Sequence, residues 1–219
     1  MIVKLKKRTN KTFLLSASML LFIIPFTLII SGCAPTSGDA FYKVERFEQA
    51  ADLYIREAEE GDLEKMLQLA VMYSSGKINY KRDYIQASYW YEKAAGLGEV
   101  NAMHELAFIY EYGQGKVEQD LNKAIEWYLH ASATGHAYSQ YRLASSYAKR
   151  DADENDAVEA YRWFLTAEKS AQNCPSDKQC QIVLEDLFNY KWSLEKRMSE
   201  VQISAAKQLV AQSLVAPKI

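Results

Sequence analysis

The sequence predicts an all-α fold, an α/α superhelical solenoid of stacked helix-turn-helix units, and three observations carry that expectation. Ala70, Ala107 and Ala144 recur every 37 residues, each preceded by a leucine (Leu69, Leu106, Leu143) and followed three residues later by a tyrosine (Tyr73, Tyr110, Tyr147). Ala87, Ala124 and Ala160 recur in the same way with Trp90, Trp127 and Trp163, at 37 and then 36 residues. A fixed period of this size marks stacked supersecondary units rather than one globular layer. Finally, only 4 prolines interrupt 219 residues, and the chain is 49% apolar and 25% charged, which suits helices that bury a face.

Taken in order, the chain begins with an address. Lys4, Lys6, Lys7, Arg8 and Lys11 precede residues 12–30, which are apolar apart from hydroxyls and Pro25. A basic head before an apolar core has the layout of a secretory signal. An uncleaved membrane helix is the alternative, because about 18 apolar residues can span a bilayer. The next residues favour the signal. Ile30-Ser31-Gly32-Cys33 resembles the bacterial lipobox. That resemblance implies a signal peptide over 1–32, a thioether lipid on Cys33 and acylation of the new amino terminus. Several acyl chains on one cysteine hold a protein stably to a membrane. Ala34 stands where an aspartate would resemble an inner-membrane retention signal, so the expected address is the outer membrane, facing the periplasm. Residues 33–42, rich in Pro, Gly, Ser and Thr, read as a tether.

Setting aside the five basic residues of the leader leaves 21 basic against 28 acidic residues, a net charge of −7. Such a domain repels phosphate backbones, so nucleic acid is not an expected partner.

The solenoid is expected over 43–171. Residues 43–61 hold the second half of a repeat, closing the amino-terminal end, and repeats follow at 62–98, 99–135 and 136–171. In each first helix Leu, Ala and Tyr fall at i, i+1 and i+4, near one face. Alanine lets the next helix approach and tyrosine fills the space beside it. Asp83, Asp120 and Asp156 precede the second helices, where a carboxylate can accept from first-turn amides. Asp83 with Gln86, and Asp156 with Glu159, have capping-box spacing. Residues 172–219 read as closing helices at 179–197 and 200–214, with Val183, Leu187, Tyr190 and Leu194 along one stripe.

The second repeat resembles the Sel-one-like repeat (SLR), a longer relative of the tetratricopeptide repeat. The matching residues are Ala102, Leu106-Ala107, Tyr110, Gly113-Gln114-Gly115, Asp120, Lys123-Ala124, Trp127-Tyr128, Ala131-Ser132 and Gly135. The first repeat matches nearly as well; the third has a shorter turn without glycine. In similar repeats the first helices line the concave side. The resemblance therefore implies a partner-binding strip at Asn101, His104, Phe108, Glu111, Tyr112, Tyr138 and Tyr141. An aromatic-rich strip on an acidic module suits a protein partner. Packing between neighbouring helices is the alternative for Phe108 and Tyr141.

Two arrangements suit Cys174 and Cys180: a disulfide or two free thiols. With Cys33 lipidated, an even count in an oxidising compartment favours the disulfide.

Catalytic signals are poor. His104, His130 and His136 share no metal-ligand spacing. Asp151, Asp153 and Asn155 imitate the start of a calcium loop that would need glycine at 156 and glutamate at 162, where Asp156 and Arg162 stand. The Ser-x-x-Lys pattern occurs four times, at Ser74, Ser146, Ser193 and Ser204, without its companion motifs. Neither a metal nor a cofactor is expected. The function expected is a non-enzymatic scaffold, membrane-anchored, binding a protein or peptide in the periplasm as an envelope adaptor or a toxin-neutralising immunity protein. The alternative is a β-lactamase-like or other cell-wall-related enzyme, as the resemblance to cysteine-rich members of the family suggests.

Overall fold

The computed structural model describes residues 36–79, 81–150 and 153–215. The leader, residues 1–32, and Cys33 lie outside the described residues. Among the described residues every regular element is a helix: α1 Gly38–Lys43, α2 Phe47–Glu59, α3 Leu63–Ser75, α4 Tyr84–Gly96, α5 Val100–Tyr112, α6 Leu121–Ser132, α7 Ala137–Arg150, α8 Glu154–Gln172, α9 Lys178–Glu195 and α10 Glu200–Val215. None of them is long and apolar enough to cross a membrane. The pairs α3–α4, α5–α6 and α7–α8 are the three repeats, and the second helix of each pair packs on the first helix of the next, α4 on α5 and α6 on α7.

The helix boundaries follow from local chemistry. Asp83 Oδ1 accepts from the Ile85 and Gln86 amides, and Asp120 Oδ1 from those of Asn122 and Lys123, so each second helix starts where the aspartate stands. Gly76 and Gly113 end α3 and α5 in the left-handed region, at φ of 76° and 62°. A side chain there would be strained, and both positions also abut the incoming backbone at Arg82 and Gln119.

The periodic residues make the core. Leu69, Ala70, Leu106, Ala107, Leu143 and Ala144 are all buried, as are Ala87, Ala124 and Ala160 on the second helices. These alanines let adjacent helices close without a gap, and Tyr54, Tyr128, Tyr161 and Phe164 fill the remaining volume. Trp90 is buried, whereas Trp127 and Trp163 are half-buried.

Three features differ from the sequence reading. The tether expected over 33–42 gives way to α1 from Gly38. Ser37 caps α1, and Asp39 accepts from Tyr54 Oη and Lys65 Nζ, both at 2.7 Å, tying α1 to α2 and α3. Gly38 is buried against the Tyr54 ring, which a Cβ there would meet at 2.5 Å. Secondly, Asp153 rather than Asp156 caps α8, accepting from the Asn155 and Asp156 amides. Asp156 sits inside the first turn, buried, and pairs with Arg150. The shorter third turn brings this second acid inside the helix and leaves the first to cap it. Thirdly, Tyr190 is half exposed, although Val183, Leu187 and Leu194 on the same helix are buried. A disulfide joins Cys174, in the α8–α9 turn, to Cys180, in the first turn of α9.

Candidate functional site

The predicted strip divides into an inner and an outer half, because its residues alternate between the α5–α7 contact and the open side of those helices. Glu111 is the centre of the inner half. Its side chain is fully buried, yet it is charged and held by three donors. Arg142 Nη2 reaches Oε2 at 2.5 Å, Lys149 Nζ reaches Oε1 at 2.5 Å, and Tyr128 Oη donates to Oε2 at 2.9 Å. Two cations from α7 and one hydroxyl from α6 thus compensate one carboxylate on α5. Burial, then the Glu111 charge, push the Tyr128 hydroxyl well above the ordinary phenol value, so it stays a donor.

Arg142 carries this buried charge outward. Its guanidinium carbon lies 5.5 Å from the Phe108 ring centre and 5.3 Å from that of Tyr112, and Nη2 also donates to Tyr112 Oη at 2.6 Å. Lys149 Nζ lies 5.0 Å from the Tyr112 ring centre, and the two rings are 4.7 Å apart. Cation–π contacts at partly exposed positions such as these contribute about 0.5–1 kcal/mol each. Tyr112 nevertheless keeps 45% of its surface exposed. It is an aromatic face held from beneath.

His104 also belongs to the inner half. It is buried, with Nδ1 at 2.9 Å from Ser139 Oγ, while His136 Nδ1 lies 2.6 Å from the same oxygen. A serine hydroxyl has one proton, so it donates to one imidazole and accepts from the other. Burial, helped by the charges of His136 and Arg142, pushes the His104 imidazole down to about 3. Tyr138 covers it at 5.0 Å between ring centres.

The strip residues therefore have unequal roles. Glu111, His104 and Tyr141 are buried: Glu111 and His104 bond to Arg142 and Ser139 between the helices, and Tyr141 Oη donates to the exposed Asp186 of α9. Asn101 is exposed but serves its own helix, its amide bonded to Glu99 Oε1. Phe108, Tyr112 and Tyr138 keep accessible surface, and Arg142 and Lys149, which the sequence did not single out, lie against Phe108 and Tyr112. Toward α9 the rings continue from Tyr138 through Tyr141 to the exposed Tyr190, at 6.2 and 5.8 Å. Toward α3, Leu67 and Val71 stand one period before His104 and Phe108 and, with Tyr42 and Gln68, line an open depression of about 250 Å³. No group of His, Cys, Asp and Glu that could hold a metal occurs among the described residues.

The Sel1 repeat family model matches residues 66–99, 100–136 and 137–170, the three helix pairs just described. This is a Sel1-repeat protein. A protective antigen of uropathogenic Escherichia coli that displays an SLR fold aligns over 80% of this chain and 51% of its own, at 19% identity and a TM-score of 0.50. A Sel1 repeat protein of Oxalobacter formigenes aligns over 68% and 63%, at 19% identity and 0.52. The chain thus spans under two thirds of either, and at this identity the likeness is one of fold. An immunity protein of Pseudomonas aeruginosa aligns over 84% and 85% at 19% identity with a TM-score of 0.32, too loose a superposition to bear on function. No curated protein matches the chain in sequence. The Sel1 repeat fold is a protein–protein interaction scaffold, and its members are typically non-enzymatic.

Within the Sel1 repeats, the partners of Glu111 were visible only as exceptions to the period. The equivalents of Glu111 are Ser74 and Ala148, and those of Arg142 are Gln68 and Glu105. An acid where sister repeats keep a small residue, and a cation where they have none, marks a contact peculiar to this pair of repeats.

Proposed function

We propose that this Sel1-repeat protein is a lipid-anchored receptor for a protein partner, gripping it with the first-helix strip of Phe108, Tyr112 and Tyr138 while Cys33 tethers it to the bacterial envelope. The observation that carries the reading is the Glu111–Arg142–Tyr112 arrangement. A buried carboxylate, 0% exposed, is spent on fixing a guanidinium beneath an aromatic ring that stays 45% exposed. Burying a charge is costly and contributes little net stability. A rigid aromatic face lowers the entropy lost on binding, and anchors of this type dominate protein interfaces.

The anchor rests on Ile30-Ser31-Gly32-Cys33 behind a basic head and an apolar core. Its expected setting is the periplasmic side of the outer membrane. Cys33→Ser should move the protein from the membrane fraction to the soluble one; unchanged retention would remove the lipid from the proposal.

The strip is tested by placing a photo-reactive benzoylphenylalanine at Tyr112 or at Glu126, an exposed position on α6. A discrete crosslinked partner is expected from position 112 and not from 126. Phe108→Ala with Tyr112→Ala should lower recovery of that same partner at least tenfold. Equal recovery by the double variant, or equal crosslinking at both positions, refutes this surface.

A further inference from the structure

A second surface lies at the turns of the first two repeats, away from the aromatic strip. The α3–α4 turn and the α5–α6 turn enclose a cavity of about 400 Å³ whose walls carry Lys81, Arg82 and Lys116. Asp83 also lines the cavity; its Oδ1 accepts from the Ile85 and Gln86 amides and caps α4, so three cations stand against one carboxylate in the wall. None of the three cations forms an ion pair among the described residues; Arg82 makes only a long contact, 3.5 Å, to Tyr84 Oη. In a domain of net charge −7 this is a local concentration of unpaired positive charge. The cavity is also built rather than incidental. Gly115, at φ +63°, brings its backbone so close to Tyr84 that a Cβ would lie 2.9 Å from the ring, and Gly76 packs on the Arg82 backbone with similar closeness. Ile85, half exposed, adds an apolar wall.

We propose that this cavity receives an acidic segment of the protein partner, its carboxylates pairing with Lys81, Arg82 and Lys116 and its methylene groups lying on Ile85 and Tyr84. Arg82 can take a carboxylate bidentately, whereas the two lysines supply point charges around it. The proposal rests on the reading of the chain as a protein-binding scaffold. It uses residues separate from Phe108 and Tyr112, so either surface can fail alone.

The test is the binding of fluorescein-labelled hexaglutamate to the detergent-solubilised full chain, read by anisotropy. Two variants of equal charge change are compared with the wild type. One is Lys81→Ala/Arg82→Ala/Lys116→Ala; the other is Lys169→Ala/Lys178→Ala/Lys207→Ala, three exposed lysines elsewhere. Saturable binding is expected, weakened at least tenfold by the first set and less than twofold by the second. It should weaken with added salt, because exposed pairs are screened. Absence of saturable binding, or equal weakening by both sets, overturns the proposal. Inorganic phosphate or phosphatidylglycerol vesicles binding more tightly than hexaglutamate through the same three cations would also overturn it, assigning the cavity to a free oxyanion or a lipid surface.

Discussion

Replacing Glu111 with alanine should unfold the middle of the stack far more readily than its position in the second repeat alone would suggest. The substitution removes a carboxylate that is fully buried and leaves behind two kinds of donor. Arg142, with a side chain only 13% exposed, keeps its charge without its counter-ion, and the buried Tyr128 hydroxyl loses its acceptor. Lys149 is 46% exposed and can return to water, so its loss adds little. Breaking a buried pair from one side costs about 3–5 kcal/mol, mostly the penalty of the charge left behind. For a protein of this size that is a drop in melting temperature on the order of 10 °C. Urea unfolding followed by far-UV circular dichroism measures it, with an unchanged m-value expected because the exposed surface on unfolding is the same. The decisive comparison is the double variant Glu111→Leu/Arg142→Met. Replacing both charges by apolar groups of similar size is often neutral, so the double variant should be more stable than Glu111→Ala despite carrying one more change. A single variant within about 1 kcal/mol of wild type, or additive effects in the double, would refute the account of Glu111 as a compensated buried charge.

Other perturbations follow from the same contacts. His104 has its imidazole near 3 in the folded chain and near the ordinary 6.5 when unfolded. Between those values the unfolded chain binds the proton and the folded chain does not, so stability is full above about pH 6.5 and falls as the pH drops. By about pH 4.5 the loss should reach roughly 2–3 kcal/mol, with half-buried His136 acting in the same direction; His104→Asn should flatten the acid limb of the Tm profile, and an unchanged limb would contradict the assignment. Trp90→Ala should cost about 3–5 kcal/mol and Trp127→Ala clearly less, since only Trp90 is fully enclosed; chemical denaturation with equal losses for both would contradict that ranking. Reducing the Cys174–Cys180 bridge, which closes a loop of 6 residues, should destabilise by about 2 kcal/mol, seen as faster amide exchange in α9 than in α5.

The fold was legible because the residues that stack the repeats are the ones that repeat. Leu106 and Ala107 are buried in the second unit as Leu69 and Ala70 are in the first, so equivalent packing positions call for the same residues at a constant interval. Where the interval changes, the reading slipped. The third turn is shorter, and the cap moved from Asp156 to Asp153 while Asp156 was drawn inside to meet Arg150. Helix α1 escaped for a different reason: six residues are too few to show a period, and its stability comes from Asp39 reaching Tyr54 and Lys65, contacts 15 and 26 residues away.

The site was legible in position and misread in depth. Helical spacing placed Glu111 and Tyr112 on the first-helix strip, and both are there, but spacing cannot say which side chain of a neighbouring helix arrives opposite. Adjacent residues on a helix diverge by about 100°, so Glu111 turns into the α5–α7 contact while Tyr112 stays outside it. What settles their depth is Arg142, 31 residues further on, which satisfies the acid with one nitrogen and holds the tyrosine hydroxyl with the same one. The two residues are therefore parts of one device. At the strip, Glu111 is buried and holds Arg142 and Lys149, which in turn contact Tyr112; at the turns, Asp83 Oδ1 is held by the α4 amides, and Lys81, Arg82 and Lys116 form no ion pair among the described residues. In a domain of net charge −7, the three cations at the turns are the local exception, and the proposed pairing of a partner's carboxylates there follows from that contrast.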